Sequence, residues 1–302
     1  MRAAQFSRYG GPEVLEIVDL PDPIPGPGQI RIVVHAAGIN ATESKLRSGT
    51  LSFGAELPQT TGRDVAGVVD QVGAGVTGVA VGDRVFGVSD DGAGAAELAV
   101  LTFYARIPPS LGFIDAAGLP IALETATRSL DQLEVAAGTL LLVNGASGGI
   151  GSTVVQLAVA RGARVIGAAS AANQNYLRLL GAESVTYGTG FVEQVRTLAP
   201  DGVDVALDVA GSGVLPELIS LAGSAGNVVT LADREGSSEH GVRFSNGFNG
   251  HAFHALAMIG DLIEAGRFWL PVDRTFPLAG IADAHRVSEL GRLRGRLVLV
   301  VR

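Results

Sequence analysis

Between residues 14 and 100 the apolar positions fall into short runs, at 14–20, 30–36, 65–72, 84–88 and 96–100, each closed by turn residues. Runs of this length and punctuation predict β-strands, and their spacing predicts a small, mostly antiparallel domain. Pro21, Pro23, Pro25 and Pro27 predict a stiff extended connection between the first two runs. Residues 115–133 change to helical periodicity. Beyond them, apolar runs at 140–144, 164–168, 184–187, 203–208 and 227–231 alternate with helical stretches, the pattern of a parallel, doubly wound sheet. The tail from Phe268 reads as strand, helix and a last apolar strand at 297–301, which would complete the first domain's sheet. The expected division is 1–120, 121–265 and 266–302, the outer two segments forming one domain.

The most informative stretch is LLLVNGASGGIG, starting at Leu140. A strand that ends in glycines and opens a helix lets backbone N–H groups approach a diphosphate at the helix N-terminus. Ala146, Gly148 and Gly151 hold the three fingerprint positions, with Gly145, Gly149 and Ile150 around them; a glycine-rich turn without a ligand is the alternative. The next strand ends on Ala169, Ser170 and Ala171, without the acidic residue that would hold a ribose hydroxyl and repel a 2′-phosphate. The expected cofactor is therefore NADP, as NADPH.

Composition removes several classes of function. With no cysteine in 302 residues, disulfides, thiolate zinc sites and a cysteine nucleophile are excluded. A net charge of −8 gives no support for a nucleic-acid partner. Arg286, Arg292, Arg294 and Arg296 cluster near the end and read as a solvated helix end and turn. With no secretory pattern at the N-terminus and no run of about 18 apolar residues, a cytoplasmic protein without a membrane partner is expected.

The order GGPEVLEIVDLPDPIPGPGQIRIVVHAAGIN, TTGRDVAGVVDQVGAGVTGVAVGDRVFGV, NGASGGIG and RGRLVLVV resembles the medium-chain dehydrogenase/reductase superfamily, and within it the zinc-free quinone oxidoreductase branch. The resemblance spans the chain and implies an α/β protein, a GroES-like β domain plus a doubly wound Rossmann domain, commonly dimeric. It places Asn40 where zinc enzymes carry a catalytic cysteine, and Gly62, Arg63 and Asp64 where they carry Gly-His-Glu, so no metal is expected. His251 and His254, three apart on an expected helix, lack a third ligand, and His35 reads as a surface or packed residue of a strand.

The resemblance also distributes roles. Ser170, Asn173 and Tyr187 would contact phosphate and adenine, although relatives carry a lysine where this chain has Asn173; Arg178 would compensate or face solvent. Thr125 would contact the phosphates or the nicotinamide. Glu124 beside it reads as a solvent-facing first-turn carboxylate, or as a charge near the ring that alters substrate choice. Independently of the resemblance, a doubly wound sheet binds ligands in the crevice outside the carboxyl ends of its strands, so Val209, Ala210, Leu231 and Ala232 would border the cofactor, mostly through their backbones.

Without zinc to polarise oxygen, the small-molecule substrate must already be activated, as a quinone or an α,β-unsaturated carbonyl is. Asn40 is the candidate donor to the negative charge that hydride transfer creates, or it caps a turn. Lys45, the only lysine among 22 basic residues, stands where many relatives carry a tyrosine; it would donate a proton or lie on solvated surface. Glu43 replaces a family aspartate and would orient Lys45 or the nicotinamide amide. The alternative function keeps the fold and the cofactor without reductase activity, as a non-redox pathway enzyme or a crystallin or RNA-binding role.

Overall fold

The computed structural model describes residues 1–52, 54–247, 250–291 and 293–302. In chain order the elements are β1 (Arg2–Phe6), β2 (Leu15–Asp19), β3 (Ile30–Ile39), α1 (Ala41–Ser48), β4 (Gln59–Thr60), β5 (Asp64–Val72), β6 (Arg84–Ser89), β7 (Leu98–Arg106), α2 (Phe113–Ala117) and α3 (Pro120–Gln132). There follow β8 (Leu140–Asn144), α4 (Gly149–Ala160), β9 (Arg164–Ala169), α5 (Gln174–Leu179), β10 (Glu183–Thr186), α6 (Phe191–Leu198), β11 (Val205–Asp208), α7 (Leu215–Ala222), β12 (Val228–Thr230), α8 (Arg234–His240) and β13 (Arg243–Phe244). The chain closes with α9 (Ala255–Glu264), β14 (Val272–Pro277), α10 (Ile281–Glu289) and β15 (Arg296–Val300). Two compact units result: Met1–Ile121 with Phe253–Arg302, and Ala122–Ala252.

In the first unit β1 pairs antiparallel with β2 and β4, and a larger sheet runs β14-β15-β3-β5-β6-β7. Because β7 also pairs with β3, the strands β3, β5, β6 and β7 close an antiparallel circuit. β3, IRIVVHAAGI, is apolar almost throughout because the core covers it nearly everywhere. Ile30, Ile32, Val34, Val69, Val85 and Leu101 meet in that core, each side chain contributing about 1.5–3 kcal/mol by leaving water. Register then places the polar ends. Leu297 faces Ile39 and Val65 faces Ala37, so Asn40, Asp64 and Arg296 lie at neighbouring ends of β3, β5 and β15.

The second unit is a sheet in the order β10-β9-β8-β11-β12-β13, with all strands parallel. Counted from β8 the order is 3-2-1-4-5-6, and the direction of winding reverses between β8 and β11. Leu141, Val143, Val154, Val155, Val165 and Leu207 pack on one face, and Leu142, Ile166, Ala206, Leu218 and Val228 on the other.

Several expectations change. The helix expected over 115–133 is two helices, because α2 ends at the Gly118 cap and Pro120 opens the next. β13 has two residues and β4 also two, too short for any period to register. His251 precedes α9 and His254 caps it, so the two do not share a helix. The division between units falls at Ala252/Phe253 rather than at 265. α9 belongs with the first unit, where Phe253 stacks on Phe103 at 4.4 Å and Glu264 accepts a hydrogen bond from Ser110. His35 stacks on Phe113 with ring centroids 4.2 Å apart. Of the C-terminal arginines, Arg286 is solvated and bonds Asp283, Arg292 lies outside the described residues, and Arg296 is buried, against expectation. No helix among the described residues is long and apolar enough to cross a membrane.

Candidate functional site

In the second unit the turn after β8 is shaped by three positions. Gly145 has φ +80°, a left-handed conformation that its missing side chain allows. Ala146 is fully buried and, like Gly145, donates its N–H to Ala168 O, so these amides build the turn and are not available to a phosphate. A Cβ at Gly151 would stand 2.1 Å from Gly145 O, so the helix packs on the turn only with glycine there. Gly148 differs: a Cβ there would meet only Gly145 O at 3.9 Å, so its outer side is open. It caps α4, whose first amides, Gly149 and Ile150, have no acceptor within the helix. An open glycine beside free helix N–H groups fits an anion.

The neighbouring strand ends extend this surface. Ser170 follows β9, and Asn173 Nδ2 donates to Ser147 Oγ at 3.1 Å, tying the post-β9 segment to the glycine turn. Tyr187 follows β10 and is exposed. Arg178 is also exposed and its guanidinium bonds Asn175 Oδ1 at 2.5 Å.

At the switch point between β8 and β11, Asp208 is buried and holds the turn together. Its Oδ1 accepts from Asn144 Nδ2 at 2.9 Å and Gly211 N at 2.8 Å, and its Oδ2 accepts from Thr230 Oγ1 at 2.7 Å. Val209 and Leu231, just past the C-terminal ends of β11 and β12, donate their N–H groups to Asn144 O and Asp208 O. Sequence reasoning missed Asn144, Asp208 and Thr230. Their signal is a polar residue closing each of three apolar runs.

Glu124 faces away from solvent, contrary to the first-turn reading. It is 2% exposed and pairs with Arg128 one turn on at 2.7 Å, while Arg128 also donates to Ser245 Oγ. Ala252 N and His251 Nδ1 reach the same carboxylate at 3.3 and 3.2 Å. Burial pushes its pKa up, but Arg128 and these donors outweigh burial and hold it below the usual range. Thr125 Oγ1 donates to Glu124 Oε2 at 3.1 Å, which turns the hydroxyl's lone pairs away from that carboxylate.

The first unit contains a buried polar hub centred on Asn40. Asn40 Nδ2 lies 3.1 Å from both Glu43 Oε1 and Asp64 Oδ2, so both amide hydrogens are engaged. Arg296 Nη2 donates to Asn40 Oδ1 at 2.7 Å and to Asp64 Oδ2 at 2.6 Å, Ile121 N to Asp64 Oδ1 at 2.8 Å, and Arg63 N to Glu43 Oε1 at 3.3 Å. Asn40 occupies the N-cap of α1, yet its side chain makes no capping bond. Burial raises Glu43 to about 7, against the pull of the Asn40 hydrogen bond. Burial raises Asp64 also, with Arg296 acting in the other direction.

Glu43 and Lys45 do not meet: two residues apart on a helix they point to different sides, Glu43 into the hub and Lys45 into solvent. α1 is fixed against α10 by Ser44 Oγ and His285 Nδ1 at 3.3 Å and by the Arg47–Glu289 ion pair.

A closed β unit and a 3-2-1-4-5-6 parallel unit define an α/β protein with GroES-like and Rossmann domains. Residues 26–105 match the alcohol dehydrogenase GroES-like domain and 180–299 the zinc-binding dehydrogenase family. The chain is 38% identical to the quinone oxidoreductase of Rattus norvegicus, over 100% of this chain and 98% of that protein. It is 32% identical to the chloroplastic NADPH-dependent alkenal/one oxidoreductase of Arabidopsis thaliana, over 99% of this chain and 79% of that protein. The structure of the quinone oxidoreductase from Coxiella burnetii matches with a TM-score of 0.86 at 30% identity, over 100% of this chain and 99% of that one. The chain belongs to the medium-chain dehydrogenase/reductase superfamily, in its zinc-free quinone oxidoreductase-like branch, and is an oxidoreductase of that family.

The zinc in the name of the matched family does not fit these residues. Arg296 already directs a fixed positive charge at Asn40 Oδ1 and Asp64 Oδ2, where a metal ion would need their lone pairs. Among the described residues no group of three or more His, Cys, Asp or Glu side chains could hold a metal ion.

Proposed function

We propose that the protein is an NADPH-dependent, zinc-independent reductase of quinones or α,β-unsaturated carbonyls. The observation that carries the reading is the turn after β8, an open Gly148 next to the free amides of Gly149 and Ile150. A bound reduced nicotinamide would supply the hydride. The chain would hold the diphosphate at Gly148, Gly149 and Ile150 and the adenosine end at Ser170, Asn173 and Tyr187. Neutral residues at 169–171 leave room for a 2′-phosphate that a carboxylate would repel, and the name of the Arabidopsis relative agrees in cofactor. Thr125, with Val209 and Leu231 at the strand ends, would border the nicotinamide.

Asn40 would meet the negative charge developing on the substrate oxygen by lending one of its two engaged N–H groups, a contact of the kind worth about 3–4 kcal/mol. Lys45 is exposed on α1, on a different side from the Asn40 hub, so the proton taken up by the product would come from solvent. A cytoplasmic homodimer completes the proposal, and sedimentation of the purified protein tests the dimer.

The decisive assay follows NADPH absorbance with a panel of quinones and enones, in the presence of a chelator. NADPH oxidation that depends on one of these acceptors and resists the chelator is expected. NADPH binding with no turnover of either class overturns the substrate assignment and favours the non-redox role.

A further inference from the structure

The hub around Asn40 contains two carboxylates and one directly paired cation, all buried. Arg296 contacts Asp64 and Asn40 but makes no hydrogen bond to Glu43. Among the described residues Glu43 receives only neutral donors, Asn40 Nδ2 and the Arg63 amide, through Oε1, while its Oε2 is buried with no hydrogen-bond partner among them. A buried oxygen with no donor aimed at it is a poor place for negative charge and a good place for a proton. With Asp64 and Arg296 forming the ion pair, a proton on Glu43 leaves the hub neutral, whereas losing it adds an unpaired buried charge. The charged groups acting on Glu43 are Asp64 at the start of β5 and Arg296 at the start of β15, while Arg63 acts on Asp64; on its own helix Lys45 is exposed and Arg47 is paired with Glu289, and on α10 the titratable neighbour is His285, against Ser44.

Resting on the reductase reading, we propose that Glu43 is a positioning residue that acts through Asn40: its retained proton keeps the Asn40 amide free to turn to the substrate, and ionisation of Glu43 locks that amide away. A carboxylic acid is a weaker acceptor than a carboxylate, so the neutral form holds Asn40 Nδ2 loosely. Ionised Glu43 would hold it in a charge-assisted bond and add repulsion against an oxyanion. The proton stays on Glu43 through the cycle, and the proton taken up by the reduced product comes from elsewhere.

Two measurements test this. In the first, the side-chain carboxyl of Glu43 is titrated by carbon-13 NMR in the intact protein without substrate, assigned through the Thr42–Glu43 amide so that no variant is required. Titration near neutrality, at about 7, is expected; titration in the ordinary carboxylate range overturns the proposal whatever the protein reduces. In the second, kcat and KM are followed from pH 6 to 9. Wild-type kcat should fall about tenfold per pH unit on the alkaline side while the KM for NADPH holds steady. In Glu43→Gln, which keeps the acceptor and cannot ionise, the absolute rate changes but the alkaline fall disappears. An identical fall in Glu43→Gln, or a complete loss of turnover in a folded Glu43→Gln, overturns it. If no quinone or enone is reduced, the reductase reading fails while the NMR titration still decides the state of Glu43.

Discussion

Arg296 Nη2 stands 2.6 Å from Asp64 Oδ2 in a pair with 7% and 0% side-chain exposure, so the C-terminal strand closes the first unit with a buried charge. Removing one member of such a pair strands the other without water. Arg296→Leu is expected to destabilise the protein by about 3–5 kcal/mol. The double variant Asp64→Leu/Arg296→Leu should recover part of this loss, because no charge is then left buried. Urea denaturation of the three proteins checks it, and a loss below about 1 kcal/mol in the single variant would contradict the burial of the pair.

Two buried groups make opposite contributions to stability over one pH range. Glu43 is raised to about 7 from its usual 4.5, so the folded protein binds the proton more tightly than the unfolded chain. Its contribution is full below pH 4.5 and is lost as pH rises through 7. His285 is lowered to about 4 from 6.5 by burial and by Arg47, so its contribution is full above pH 6.5 and is lost as pH falls through 4. Each is worth on the order of 3 kcal/mol and their windows overlap, so wild-type stability should vary little between pH 4.5 and 6.5. Glu43→Gln should expose the His285 dependence, with melting temperature rising with pH across that window. A flat profile in Glu43→Gln would show that His285 is not held neutral.

How far the sequence carried the reading depends on how local each signal is. The strand run at 140–144 coincides with β8, and the alternation after it yields the doubly wound sheet, because each strand announces itself by its own apolar residues. The hub is different. Asn40 and Arg296 meet through the register of β15 on β3, a contact between residues 256 positions apart, and no local period records it. Arg296 therefore reads as part of a solvated arginine cluster, and Glu124 reads either as a solvent-facing carboxylate or as a charge near the ring. Its partner Arg128 lies one turn away and was visible, but Ser245 and the Ala252 amide that complete its surroundings were not. Asn40 was legible as a polar residue of interest; that both its amide hydrogens are engaged was not.

The glycine turn separates ligand binding from folding. Gly148→Asp should abolish NADPH binding by placing a carboxylate at the open side of the turn, with little loss of stability, since a Cβ there meets only Gly145 O at 3.9 Å. Gly151→Val should instead destabilise the second unit, since even its Cβ would fall 2.1 Å from Gly145 O. Fluorescence titration with NADPH alongside thermal unfolding distinguishes the two. Unchanged NADPH affinity in Gly148→Asp would remove the main support for the cofactor.

The adenosine end offers a test of cofactor choice that gains a property rather than losing one. Asn173 is neutral, follows β9 and is held to the glycine turn by Ser147 Oγ at 3.1 Å. Lysine at this position would add a mobile cation to a surface whose residues 169–171 carry no charge. Arg178 does not already fill that role, because it is exposed and bonded to Asn175. If the 2′-phosphate lies beside residue 173, Asn173→Lys should tighten NADPH by about tenfold, or roughly 1.4 kcal/mol, at low ionic strength. NADH, which lacks that phosphate, should change by less than about twofold, and most of the NADPH gain should vanish near 1 M salt, where screening reaches about 3 Å. Parallel Kd measurements for the two nucleotides at low and high salt check it; equal tightening of both would place the phosphate elsewhere and withdraw the preference for NADPH.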